Sequence, residues 1–168
     1  MRSESYNIRA ARGTDHDVIW SILEPMLREA RTYPLPHDWD RAAALDYWFS
    51  DEKSVFVVED CGEVHGTYYL RANNLGGGAH VANCGYVTAT TARGRGLARA
   101  MCAHSFATAR DAGFCAMQFN FVIASNIRAV ALWTSMGFVE VGRLPGVFRS
   151  LEGEIFDALV LFKRLDRI

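Results

Sequence analysis

The stretch Arg93-Gly94-Arg95-Gly96-Leu97-Ala98 follows the strand-like run His80 to Thr88 and opens a helical segment that reaches about Ala112 before Gly113. Small residues in such a turn let the backbone come close to a ligand, and the helix behind it presents unpaired N–H groups and the positive end of its dipole. Strand, turn and helix in that order form an anion-binding arrangement. A dinucleotide fingerprint needs glycine at position 99, where Arg99 stands, and a P-loop needs lysine followed by serine or threonine; neither is present.

Upstream of the turn, Tyr6 to Arg9 reads as a short strand. A helix then carries Val18, Ile19, Ile22, Leu23, Met26 and Leu27 on one face, with Thr14 and Asp15 as capping oxygens and Pro25 as a point of kinking. Tyr33-Pro-Leu-Pro cannot continue a helix, and a second one is expected from about Asp40 to Phe49, which leaves a loop placed to roof a pocket. Ser54 to Glu59 and Val64 to Arg71 form a hairpin across Asp60-Cys61-Gly62-Glu63, and Asn73 to Gly78 interrupts the sheet. Downstream, Cys115 to Ile123 is strand-like, Asn126 to Met136 is helical with Gly137 as its cap, and Val139 to Arg149 and Ile155 to Lys163 are the last strands. The elements describe a mixed α/β (α+β) domain with helices packed on a twisted sheet.

The chain has 168 residues, half of them apolar, a size that fits one domain with a substantial core. Its formal net charge of -1, with both signs interspersed, sets up no field to hold a nucleic-acid backbone. The N-terminal MRSESYNIRA lacks an apolar signal core and no later run is long enough for a membrane span, so the cytoplasm is the expected location. Cys61, Cys84, Cys102 and Cys115 form no C-x-x-C pair, which argues against a zinc site or disulfide framework; reduced, mostly buried thiols and no metal are expected.

Arg93-x-x-Gly96-x-Ala98 resembles the acyl-CoA signature of the GCN5-related N-acetyltransferase (GNAT) family, and Asn126-Ile-Arg-Ala129-Val-Ala-Leu132-Trp133-Thr-Ser-Met-Gly137-Phe138 resembles its later N-x-x-A-x-x-L-Y-x-x-x-G-F helix. The resemblance implies one domain over 1–168, with a mixed twisted sheet of about seven strands, splayed central strands and about four helices. It implies acetyl-CoA as cosubstrate: the backbone of Tyr86, Val87 and Thr88 pairs with pantetheine as an added strand does, Arg93, Gly94, Arg95, Gly96, Leu97 and Ala98 hold the pyrophosphate, and Asn126 and Trp133 complete the cofactor site. It also makes a homodimer plausible through the long final strands.

Acetyl transfer needs a neutral amine near the thioester carbonyl, donors for the developing oxyanion and a means of stabilising the leaving thiolate. The family commonly uses tyrosine for the last task; here Trp133 stands in that place, and an indole N–H donates a hydrogen bond but is no practical acid. Core packing is the stronger expectation for Trp133. A free CoA thiol has a pKa close to that of cysteine, about 8.5, so its thiolate leaves near neutral pH without obligatory protonation.

Asn83 and Asn120 stand in strands, where asparagine is disfavoured, and by alternation both are expected to face the cleft and orient an amine or carboxylate. With Gln118-Phe-Asn-Phe-Val, Leu132-Trp133 and Gly142-Arg-Leu-Pro, they resemble the branch containing fungal N-acetyltransferases of proline analogues such as azetidine-2-carboxylate. The expected acceptor is thus a small-molecule amine. His80, Glu29 or a water relay are the options for the base, the relay preferred, and by the resemblance Tyr33 and Trp39 either roof the acceptor pocket or anchor the loop that carries them. Two alternatives stay open: a protein or peptide N-acetyltransferase, and a non-catalytic acyl-CoA sensor.

Overall fold

The computed structural model describes residues 6–165. The first five residues of the N-terminal stretch read above for a signal core lie outside them.

The elements in chain order are β1 (Asn7–Ala10), α1 (His16–Glu29), α2 (Arg41–Trp48), β2 (Ser54–Asp60), β3 (Glu63–Ala72), β4 (Val81–Thr88), α3 (Leu97–Asp111), β5 (Ala116–Ile123), α4 (Ile127–Ser135), β6 (Val139–Arg149) and β7 (Ile155–Arg164). Among the described residues they build a seven-stranded sheet in the order β1-β2-β3-β4-β5-β7-β6, with four α-helices, as the sequence predicts. Neighbouring strands are antiparallel except β4 and β5, which run parallel and pair only at Val81 with Ala116 and Ala82 with Met117. Beyond those two positions the central strands part.

Alternation along β3 sorts the core. Tyr68 and Leu70 face the side covered by α3, where Tyr86, Met101, Phe119, Trp133 and Phe138 are buried together. Tyr69 faces the opposite side with Val57 and Val87, under Ile19, Leu23 and Trp48 of α1 and α2. Gly85 lies directly opposite Tyr69 in the ladder, and a Cβ there would stand 2.6 Å from the Tyr69 ring. A glycine in mid-strand is therefore what lets that aromatic ring lie flat across β4.

Local chemistry departs from expectation at four places. Thr14 and Asp15 do not cap α1 with their side chains: a 3₁₀ turn, Gly13–Asp15, precedes it, and the buried Asp15 carboxylate accepts from Arg9 at 2.8 Å and from the Arg12 N–H at 2.7 Å. Arg9 also meets Glu59 at 2.6 Å, so this cluster ties the start of α1 to β1 and β2. The Arg9 guanidinium bond, chiefly, holds the Asp15 carboxyl below its usual range. Second, α1 runs through Pro25 as one helix of 14 residues. Third, β1 starts at Asn7 rather than Tyr6. Fourth, Cys84 and Cys102 are buried but Cys61 and Cys115 are exposed, because Cys61 sits in the left-handed corner of the β2–β3 hairpin (φ 50°) and Cys115 just before β5.

Candidate active site

The parting of β4 and β5 opens a cavity of about 870 Å³ that runs from the start of α3 to the point where the strands separate. Even-numbered residues of β4 direct their main-chain groups into this gap: Tyr86 C=O accepts from the Tyr33 hydroxyl at 3.0 Å, from the side opposite β3. Thr88 shares that parity. Val87 does not, since its main chain faces β3 and its side chain packs under α1. Of the three residues expected to pair with pantetheine, Tyr86 and Thr88 therefore offer backbone groups and Val87 offers a wall.

At the far end of β4, Gly94 and Gly96 adopt φ of 82° and 79°, and no atom lies within 4 Å of a Cβ built on either. The turn thus exposes its backbone, and α3 begins at Leu97 with no side chain capping its N–H groups. Arg93, Gly94, Gly96, Leu97 and Ala98 line the cavity. Arg95 does not: turn geometry sends its guanidinium outward to Asp60, while its carbonyl accepts from Tyr6. Across the mouth, Glu29 at the end of α1 pairs with Arg93 at 3.2 Å.

Asn83 stands one residue past the last β4–β5 pair, 7% exposed, and its Nδ2 donates to Gln118 C=O of β5 at 2.9 Å. It bridges the strands where their ladder has just ended. Asn120 lies on the same face of β5; its Oδ1 accepts from Gln118 Nε2 at 2.8 Å and its Nδ2 donates to Asn73 Oδ1 at 2.6 Å. Both asparagines line the cavity. His80, by contrast, is an exposed residue just before β4, outside the lining, and its carbonyl accepts from the Cys115 N–H.

Asn126 caps α4, its side chain accepting from Ala129 N–H at 3.3 Å. Trp133 lines the cavity but is 8% exposed, with ring centroids 5.1 Å from both Tyr86 and Phe119. Trp39 lies outside the lining of this cavity and makes a tilted contact with Tyr47 at 5.3 Å on the core under α1, the anchoring reading of the two. Among the lining residues that the sequence does not single out are Arg71, Tyr47, Tyr69 and Arg128. The first three were recoverable only by aligning β3 against β4 and packing α2 upon them.

The family model described as Acetyltransferase (GNAT) family matches residues 20–138. N-acetyltransferase aca1 of Schizosaccharomyces pombe is 30% identical in a 143-residue alignment that covers 74% of this chain and 68% of that protein. A GCN5-related N-acetyltransferase structure from Kribbella flavida superposes with a TM-score of 0.91 at 30% identity, covering 97% of this chain and 99% of its own. The yncA structure from Salmonella typhimurium, solved with acetyl-CoA, superposes at 0.85 with 20% identity over 98% and 96%.

The chain belongs to the acetyltransferase (GNAT) family.

As a GNAT it is an acetyl-CoA-dependent N-acetyltransferase, and the donor site fits that cosubstrate. An uncapped helix start with two open left-handed glycines suits a diphosphate, and the strand-edge backbone at Tyr86 and Thr88, where Tyr33 now holds the Tyr86 carbonyl, suits the amides of pantetheine. Acetyl-CoA supplies the acetyl group as a thioester. What the chain's own residues supply is orientation and hydrogen bonding. Burial raises the hydroxyl pKa of Tyr33 and Tyr69, so both stay protonated donors in the physiological range. The Tyr86 hydroxyl, also raised well above its usual value by burial, is turned to Ser105 Oγ at 2.7 Å. Glu29 is the lining carboxylate among the described residues, and it is engaged by Arg93 at the donor end. No group of three His, Cys, Asp or Glu side chains able to hold a metal occurs among the described residues, and no described helix is long and apolar enough to cross a membrane.

Proposed function

We propose that this GNAT acetylates the amine of a small molecule, specifically a free amino acid or an analogue such as azetidine-2-carboxylate. The observation that carries this reading is the placement of Asn83 at the vertex of the parting strands, facing a pocket walled by Tyr33, Leu35 and Tyr69. Asn83 and Asn120 orient the acceptor, the Tyr86 and Thr88 backbone aligns the pantetheine arm, and the turn at 93–98 together with the start of α3 takes the diphosphate. With no carboxylate of the acceptor end among the lining residues, water relays the amine proton outward.

Thiol release from acetyl-CoA is measured with azetidine-2-carboxylate, proline, methionine sulfoximine and polyamines. Asn83→Ala is expected to lower kcat/KM for the preferred amine about 100-fold and Asn120→Ala by about 10-fold, with acetyl-CoA affinity unchanged within about 2-fold. Full activity in both variants would demote the asparagines to structural residues. Tight cofactor binding without turnover of any amine would favour a sensor, and acetylation of peptide amino groups alone a protein-modifying enzyme.

The homodimer belongs to the same reading. Edge strand β6 exposes Val139, Val141, Leu144 and Val147, an apolar edge of the kind that a second copy covers. Sedimentation velocity at micromolar concentration is expected to read a dimer; a monomer removes the partner.

A further inference from the structure

The cavity lining is unevenly charged. Besides Glu29, its charged residues are Arg71, Arg93, Arg99 and Arg128. Arg93 belongs to the diphosphate turn and pairs with Glu29, Arg99 reaches Ser135 Oγ at 2.7 Å on the side of α3 and α4, and Arg128 stands in the first turn of α4. Arg71 is the exception. It lies near the end of β3, directly opposite Asn83 in the ladder and therefore on the same face. Thr88, where the donor turn begins, is five residues further along β4, roughly 17 Å at the usual strand rise. A diphosphate seated at α3 leaves Arg71 untouched.

Its existing partners hold it loosely. Arg71 Nε is 3.5 Å from Asn83 Oδ1 and Nη1 is 3.6 Å from a carboxylate oxygen of Glu52, an exposed residue. Charge-assisted contacts of a seated guanidinium are about 2.7–2.9 Å. A second cation stands beside it: Lys53 Nζ lies 3.4 Å from the centre of the Tyr47 ring and 4.7 Å from that of Tyr69, both of which wall the acceptor pocket. The Lys53 amine is pushed down to about 8, first by burial and then by repulsion from Arg71. Arg71 and Lys53 thus place two cations, with Glu52 at the outer side of Arg71, at this end of the cavity on a wall that is otherwise largely aromatic.

Resting on the acetyltransferase reading, we propose that Arg71 anchors an anionic group of the acceptor, so that the substrates are amines bearing a carboxylate rather than polyamines or other polycations. A carboxylate seated on Arg71 lies beside Asn83 and sets the neighbouring amine at the strand vertex. The tyrosine walls take the aliphatic body, and a guanidinium fork fixes the carboxylate in two hydrogen bonds. A polycation meets two like charges at this end and no lining acid to receive it.

The test uses matched acceptors that differ only in the anionic group: azetidine-2-carboxylate against azetidine-2-carboxamide, and proline against prolinamide. The wild type is expected to favour the acid by about 30-fold or more in kcat/KM, since a site built to bind a charged group rejects its neutral analogue. Arg71→Ala is expected to raise KM for the acid by a similar factor and KM for the amide far less, and so to erase the preference. Arg71→Lys restores part of it. Calorimetry with acetyl-CoA is expected to give the wild-type affinity in both variants, which shows that they are folded. Equal use of acid and amide by the wild type, or a preference that survives in Arg71→Ala, overturns the carboxylate anchor while leaving the acetyltransferase reading intact. Absence of thiol release from every amine overturns both.

Discussion

Gly96→Asp is expected to weaken acetyl-CoA binding at least about 100-fold, whereas Gly96→Ala weakens it less than about 10-fold, both read by titration calorimetry. The two variants separate the contributions of conformation and charge. Gly96 holds φ at 79°, and any side chain there incurs the left-handed penalty of about 1–2 kcal/mol. That cost appears in folding stability and is shared by the bound and free protein. Bulk contributes little, because no protein atom lies within 4 Å of the added Cβ. Aspartate adds a carboxylate at the N-cap of α3, where it accepts from the same N–H groups that otherwise await the diphosphate. The ligand then loses donors and meets a like charge. Unit charges 4 Å apart near a protein surface interact by about 4 kcal/mol before salt screening. Wild-type affinity in Gly96→Asp would remove this turn from the donor site.

The parts of the molecule legible in the sequence are those governed by local rules. The Cys61-Gly62 corner of the hairpin, the glycine starting α3, the asparagine capping α4 and the Gly137 that follows it each act within a few residues. Two motifs at a family spacing then pointed to residues that line one end of the cavity. What local pattern did not show depends on which residue faces which across the sheet. Val87 adjoins two residues that face the gap, yet the parity of the β3–β4 ladder turns its main chain away. Arg95 sits within the signature, but alternate positions of a tight turn point to opposite sides, and Asp60 captures it. Arg71 carries no motif at all; its meaning comes from lying opposite Asn83, which only the register establishes.

The register also explains why one short segment touches both halves of the site. Glu29 ends α1 against Arg93, and four residues later Tyr33 donates to the Tyr86 carbonyl inside the gap. Between them Ala30 takes the left-handed conformation (φ 46°), which turns the chain sharply enough for both contacts. A donor molecule seated as proposed, on the turn and the β4 edge, would compete for both partners of this segment. On that proposal the segment from Glu29 to Tyr33 is coupled to the donor side through two polar contacts, one of them an exposed ion pair worth at most about 1 kcal/mol.

Trp133→Ala is expected to destabilise the fold by about 3–5 kcal/mol, the range for removing a large aromatic from a packed interior, and to lower Tm by roughly 10 °C. The indole is 8% exposed and meets Tyr86 in a tilted contact at 5.1 Å, Phe119 edge-on at 5.1 Å and Phe138 at 6.4 Å. Those rings join β4, β5 and α4 just where β4 and β5 lose their shared hydrogen bonds, so packing there replaces a missing ladder. Trp133→Phe keeps most of the aromatic contact and removes the N–H. If Trp133 serves the wall and not proton transfer, Trp133→Phe retains kcat within about 3-fold and loses about 1–2 kcal/mol of stability. A 100-fold fall in kcat at nearly unchanged Tm would instead make the indole N–H a participant in the chemistry. The expected pattern follows from the thiolate itself: with a thiol pKa near 8.5 it departs at neutral pH without an acid, so hydrogen bonding by water suffices once the surrounding rings hold the gap open.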